Sequence, residues 1–203
     1  QGALAAGANS DLRYVLLQNY PGPVSLKQAF VDNSGAVQLR DVGVDASGTP
    51  IPAAQPGNGR NWVETVSPDG NRVVFRSFGD SIAGGPLGMS PDSGIYDVFL
   101  RDFSGATATT HWVSAREADA PPDPTSPRHD QFWGASSDLT RIFFSSPERL
   151  TADSTSDHEK EGLFDSDSWG DLYVYDVTTG DLRDITVDNV NPEGGQFQGF
   201  AGA

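Results

Sequence analysis

The chain of 203 residues has no cysteine and only three histidines. A disulfide framework, a thiol nucleophile and cysteine-ligated zinc or iron–sulfur centres are thereby excluded, and the redox character of the compartment leaves no mark on the sequence. Basic residues are scarce: 13 Lys and Arg stand against 28 Asp and Glu, for a formal net charge of −15. A field of that sign repels phosphate backbones and anionic membrane faces, which argues against nucleic-acid binding and leaves solubility or cation binding as what the charge favours. No stretch approaches the roughly 18 apolar residues of a spanning helix, so no membrane insertion is expected. Long windows with apolar residues at helical spacing are also missing. The chain does not open on a charged segment followed by an apolar core, so the expectation is a cytoplasmic protein or a processed or excised piece whose signal has been removed.

Glycine and proline are plentiful, 23 and 14 residues, and they punctuate short β-rich runs. The clearest unit is Ser67-Pro68-Asp69-Gly70-Asn71-Arg72-Val73-Val74-Phe75. Proline presets φ for the first central position of a tight turn, aspartate bonds back to its own backbone, and glycine accepts a positive φ. Arg72 to Phe75 then reads as a strand. The frame recurs at Ser136-Ser137-Asp138-Leu139-Thr140-Arg141-Ile142-Phe143-Phe144, and more weakly from Ser10 through Asp11, Leu12 and Arg13 to Leu17. Serine to serine, the copies lie 57 and 69 residues apart, a repeat with loops of variable length. Asp97-Val98-Phe99-Leu100-Arg101-Asp102 and Asp171-Leu172-Tyr173-Val174-Tyr175-Asp176 superpose residue for residue, each followed by a small-residue turn and a further strand-like run, 109–113 and 182–187.

Just before each turn lies a short inner-strand candidate: 1–9 with Leu4 inward, 61–66, 131–135 and, at the end of the sequence, 198–203. The first repeat adds strands over 14–18, 27–32 and 36–44. Residues 45–60 and the proline-rich 114–130 read as irregular connections, and 77–94 and 147–170 as polar insertions. The expected organisation is three blade-like repeats, 1–60, 61–130 and 131–203, the last including the start of a further inner strand. The fold class expected is all-β, with three four-stranded antiparallel repeats. The Ser-Pro-Asp-Gly turn, the Val-Val-Phe strand and the Asp-Leu-Tyr-Val-Tyr-Asp strand resemble TolB-like, WD-like Pro-Asp β-propeller repeats. That resemblance implies a fold and not an activity, because the motif residues build turns and packing.

Asp165, Asp167 and Asp171 stand at positions one, three and seven of a loop that leads into a strand, with Gly170 at six. Calcium takes several oxygen ligands and favours such a loop, so these three residues are the expected metal site and Ca2+ the expected structural cofactor. The glutamate of an EF-hand is replaced at position twelve by Asp176. Asp153 and Asp157 lie nearby in sequence. Ser81, after a Val-Val-Phe strand, superficially resembles the nucleophile of GDSL-type esterases, but a base and oxyanion donors at the matching spacing are missing, and no enzymatic role is expected. His129-Asp130 and Asp157-His158-Glu159 carry metal-ligand residue types in polar loops, where surface roles are the commoner outcome. Trp62, Trp112, Trp133 and Trp169 suit either a sugar-binding surface or packing between repeats, the latter favoured by the matching positions of Trp62 and Trp133.

Three blades are fewer than the roughly four to eight that close a propeller ring, so the missing ones must come from a longer polypeptide or another copy of the chain. The expected function is a non-catalytic extracellular or periplasmic module for binding or assembly, stiffened by calcium, with a protein partner or head-to-tail self-association. The alternative is the propeller portion of a larger, prolyl-oligopeptidase-like hydrolase with its catalytic residues elsewhere.

Overall fold

The computed structural model describes residues 2–9, 11–20, 26–45, 47–51, 54–56, 65–78, 96–122, 129–154 and 170–186. Among them are twelve strands and no helix, so the all-β expectation holds. The first sheet contains β1 (Gly2–Ala8), β2 (Tyr14–Tyr20), β3 (Leu26–Val31) and β4 (Val37–Asp41). The second contains β5 (Gln55–Pro56), β6 (Arg72–Phe78), β7 (Tyr96–Asp102) and β8 (Thr109–Trp112). The third contains β9 (Gln131–Ala135), β10 (Arg141–Ser146), β11 (Asp171–Asp176) and β12 (Leu182–Asp184). Each sheet is an antiparallel meander whose spatial order follows the chain.

The repeated turn is built by the same hydrogen bonds three times. Ser67 N–H donates to Arg72 O (3.0 Å), Gly70 N–H to Ser67 O (2.8 Å), Arg72 N–H to Ser67 Oγ (2.9 Å) and Asn71 N–H to Asp69 Oδ1 (2.9 Å). Ser136, Asp138, Leu139 and Arg141 reproduce the set. In the first sheet the leading residue is Asn9, not Ser10. Asn9 N–H donates to Tyr14 O, its Oδ1 accepts from Tyr14 N–H at 3.0 Å, and its Nδ2 donates to Asp11 as the serine hydroxyls donate to Asp69 and Asp138. The asparagine amide supplies both a donor and an acceptor, so it replaces serine, and the first frame sits one residue earlier than its serine suggests. The fourth turn residue is left-handed in every copy: Leu12 (φ 60°), Gly70 (φ 72°) and Leu139 (φ 52°). For leucine that conformation costs on the order of 1 kcal/mol. Leu139 offsets the cost by complete burial, whereas Leu12 is exposed and is held by the turn's hydrogen bonds.

Three loop expectations need correction. Residues 45–60 are not connection throughout: β5 pairs Gln55 with Arg76 and Pro56 with Phe75. Proline is tolerated there because β5 is the edge strand and needs no donor on its free side. Of the strand expected over 61–66 only Thr65 and Val66 are described, and both bond toward β6, through Val74 N–H to Thr65 O and the Val66–Val73 bridge. The insertion expected from 77 begins later, since Ser77 and Phe78 still pair with Asp97 and Tyr96. The start of the second insertion is core rather than polar loop: Leu150 and Thr151 are buried.

Side-chain alternation along the second sheet explains how the sheets pack. Val73, Phe75 and Phe99 join Leu16, Leu26 and Val42 of the first sheet in one core. Their neighbours Val74, Val98 and Leu100 join Ile142, Phe144 and Tyr173 of the third sheet in another. Successive residues of a strand point to opposite faces, so a sheet buried on both faces reads as a continuous apolar run. Phe75 stacks on Phe99 with ring centroids 5.4 Å apart, and Phe144 on Tyr173 at 5.5 Å, in equivalent positions of the two sheets. A polar clasp fixes the first junction: Gln28 Nε2 and Arg40 Nη2 both donate to Gly70 O, at 3.0 and 2.5 Å, while the Arg40 guanidinium lies 3.7 Å from the Phe103 ring centroid. Glycine is favoured at position 70 by its φ and required by space, because a Cβ would lie 2.2 Å from the Tyr14 ring.

Candidate functional site

Two groups of carboxylates are buried around the third sheet and its junction with the second. The first is built on β11. Pairing of β11 with β12 sets Tyr173 opposite Asp184, and Asp171, two residues before Tyr173, shares that face. Asp171 is 1% exposed and its Oδ2 accepts from Ser154 Oγ at 2.6 Å. Ser154 Oγ lies 2.8 Å from the Tyr173 hydroxyl, which donates to Glu148 O at 2.9 Å and accepts from Leu150 N–H at 3.3 Å. Burial and the Asp171 charge push the Tyr173 phenol upward, so it stays a donor at any physiological pH. Asp184 Oδ1 accepts from Thr186 N–H and Oγ1 at 2.8 and 2.7 Å, while its buried Oδ2 has no hydrogen-bond partner among the described residues. Burial first, then the Asp171 charge, raise the Asp184 carboxyl to about 7. Two carboxylates in such contact call for a shared proton or a cation.

Of the metal ligands expected from sequence, Asp171 is therefore placed in an oxygen-rich buried setting, and Asp165 and Asp167 lie outside the described residues. Asp184 was not foreseen, because only the hairpin register of β11 and β12 brings it to Asp171. Asp153 accepts from Thr151 Oγ1 at 2.8 Å and is exposed. Among the described residues no three His, Asp or Glu side chains gather in a metal-binding group. Ser81, Asp157, His158, Trp62 and Trp169 also lie outside the described residues.

The second group is Asp97, the repeat equivalent of Asp171, with Asp130 and Glu148. Asp130 N–H donates to Tyr96 O at 2.8 Å, which anchors the residue beside the head of β7. Its carboxyl is 4% exposed, takes hydrogen bonds from Ser114 and Ser146, and has a buried Oδ1 with no partner among the described residues. Burial, followed by the charges of Asp97 and Glu148, raises this carboxyl well above the ordinary range. His129 is a structural acceptor: Nδ1 takes the Tyr96 N–H at 2.9 Å, and burial and Arg76 hold the ring neutral. Its bonded nitrogen is thereby committed to the backbone rather than to a metal. Trp133 Nε1 donates to Ser145 Oγ at 2.9 Å, and Trp112 stacks on Phe99 with centroids 6.3 Å apart.

A cleft of about 450 Å³ separates the outer ends of the second and third sheets, lined by Trp112, Val113 and the loop after β8 on one side and by Tyr175, Gly180 and Leu182 on the other.

The sequence matches no protein-family model and no curated protein. Among solved structures the chain is similar to TolB from Acinetobacter baumannii, at 13% identity and a TM-score of 0.41, over 91% of this chain and 32% of that one. The chain thus spans about a third of that molecule's length.

Proposed function

We propose that the chain is a non-catalytic β-propeller module for binding and assembly, acting outside the cytoplasm in the periplasm or extracellular space. Its three sheets are three blades of a ring that further sheets complete. The observation that carries the reading is the division of the second sheet's side chains between two neighbours, Val73, Phe75 and Phe99 to one and Val74, Val98 and Leu100 to the other. Among the described residues the first sheet has such a neighbour on one face only. Its other face holds the cross-strand pairs Ala29–Leu39 and Val31–Val37, with Val31, Val37 and Leu39 respectively 58%, 71% and 58% exposed. An apolar sheet face of this kind is normally covered. A second copy packed head to tail, or a further sheet of a longer polypeptide, covers it with the same geometry.

Light scattering on the 203-residue chain is expected to show a dimer or larger species that Val37→Lys with Leu39→Lys converts to monomer. A well-folded monomer that binds no hydrophobic dye overturns the requirement for a covering surface.

Calcium is proposed as a structural ligand of Asp165, Asp167 and Asp171. The donor chemistry fits, because Asp171 and Asp184 together present carboxylate oxygen where a hard cation relieves their repulsion. A cation that binds only the folded state raises its melting temperature by mass action. Calcium is thus expected to raise the melting temperature, and Asp167→Ala to remove the increment. A melt unchanged by calcium or chelator sinks the assignment.

A further inference from the structure

The cleft between the outer ends of the second and third sheets is a second feature, independent of the propeller assignment and of calcium. One wall is an aromatic ring, that of Tyr175. Trp112 closes β8 at the edge of the cleft, its ring stacked on Phe99 on the face turned to the first sheet and its Nε1–H bonded to Ser114 Oγ at 3.2 Å. Tyr175 stands across from it on β11, half-buried and opposite Leu182 in the β11–β12 register. Buried Val113 and Leu182 give the cleft an aliphatic floor.

The rim is acidic. After β8 the chain is pinned to the third sheet by Glu117 N–H donating to Leu150 O at 2.9 Å, and the Glu117 carboxylate accepts the Leu182 N–H across the cleft. Burial, with the charges of Asp119, Asp153 and Asp181, pushes the Glu117 carboxyl upward, the signature of several carboxylates converging on one place. The rim's basic residue, Arg116, does not neutralise them directly, because its guanidinium donates to the backbone carbonyls of Ala120 (2.9 Å) and Pro121.

We infer that this cleft is a docking site for an arginine or lysine side chain carried on an extended peptide of a protein partner. An aliphatic stem covers Val113 and Leu182, as long basic side chains do on apolar surface. The cationic head lies against the Tyr175 ring, attracted by its π face, and faces Glu117 and Asp119. The volume falls within the range of about 300 to 1,000 Å³ typical of ligand clefts. An anionic ligand meets repulsion from four carboxylates, and a purely apolar one leaves Glu117 desolvated.

The test is an amide-correlation NMR titration with a capped Gly-Arg-Gly-Arg-Gly peptide. Shifts are expected at the Val113 and Gly180 amides. Glu117→Gln, which keeps the acceptor for Leu182, should weaken binding about fivefold, and Asp119→Asn at the exposed rim about twofold to threefold. Asp41→Asn also removes one negative charge, but from the first sheet, and should leave affinity unchanged. Equal losses in Glu117→Gln and Asp41→Asn reduce the effect to diffuse charge and overturn the site, as do shifts centred elsewhere or none. If Glu117→Gln does not fold, Asp119→Asn against Asp41→Asn decides in the same way. Capped free arginine amide is the second probe: binding as tight as the peptide's assigns the cleft to small cations and overturns the peptide partner.

Discussion

Replacing Gly170 with alanine is expected to destabilise the chain by about 3 to 5 kcal/mol, the scale of a mutation that cannot be relieved without moving backbone. Gly170 has φ +69°, and a Cβ there would lie 2.2 Å from Ser146 O, 2.4 Å from Pro147 Cα and 2.6 Å from Pro147 N. All three atoms are main chain, so no rotamer change makes room. Ser146 pairs with Asp171 at the end of the β10–β11 ladder, and displacement there pulls Asp171 from its 2.6 Å bond to Ser154. Gly180→Ala separates strain from clash. Its φ is +79°, but the nearest atom to its Cβ is the Tyr175 hydroxyl at 3.9 Å, so only the left-handed cost of on the order of 1 kcal/mol applies. Thermal melts check the pair: at roughly 2 to 4 °C per kcal/mol for a chain of this size, Gly170→Ala should lose about 10 °C and Gly180→Ala only a few. Equal losses defeat the account.

Most of the strands were legible because their cause is local. A turn that needs a left-handed fourth residue, followed by β-branched and aromatic residues, announces itself in nine positions, and the structure builds it with one set of bonds at Ser67 and at Ser136. The frame at the start of the chain slipped by one residue because Ser10 has the expected identity while Asn9 has the expected chemistry. What the sequence could not display is non-local. Val73, Val74 and Phe75 read as one apolar run, and only the arrangement of three sheets divides them between two cores. Leu150 sits in a stretch whose composition is that of a polar loop, yet it packs in the core between the second and third sheets. The same holds for the candidate site. Asp171 stood out by its spacing from Asp165 and Asp167, whereas Asp184 and Asp130 meet their carboxylate partners through strand register and sheet packing. No one-dimensional spacing encodes those contacts.

Asp130→Asn is expected to stabilise the protein at pH 8 by about 1 to 3 kcal/mol, the scale of a buried polar group left poorly satisfied, and to flatten the dependence of stability on pH. The sign follows from linkage. The folded-state carboxyl titrates well above its unfolded value, so above about pH 4 the folded chain holds a proton that the unfolded chain has released. Stability from this group is therefore greatest below the unfolded value and is lost as pH rises toward the raised folded one. Asparagine keeps the shape and can accept from Ser114 and Ser146, and its amide donates where Asp97 presents a carboxylate. The groups that face Asp130 are Asp97, Glu148, Ser114 and Ser146, and neutral His129 adjoins it in sequence. His129 works in the opposite sense: its lowered value makes stability rise as pH climbs toward its unfolded value of about 6.5, so both variants must be measured on the same background. Asp32 and Asp138 also act oppositely but in a separate window. Their turn hydrogen bonds hold them at about 2, so their contribution is lost only as pH falls from about 4 toward 2. Melting curves from pH 4 to 8 should show wild type losing stability relative to Asp130→Asn as pH rises, with Asp97→Asn recovering part of the difference by removing the nearest like charge. An Asp130→Asn chain less stable than wild type at pH 8 would mean that the carboxylate is ionised and compensated in the fold, and the raised titration would be wrong.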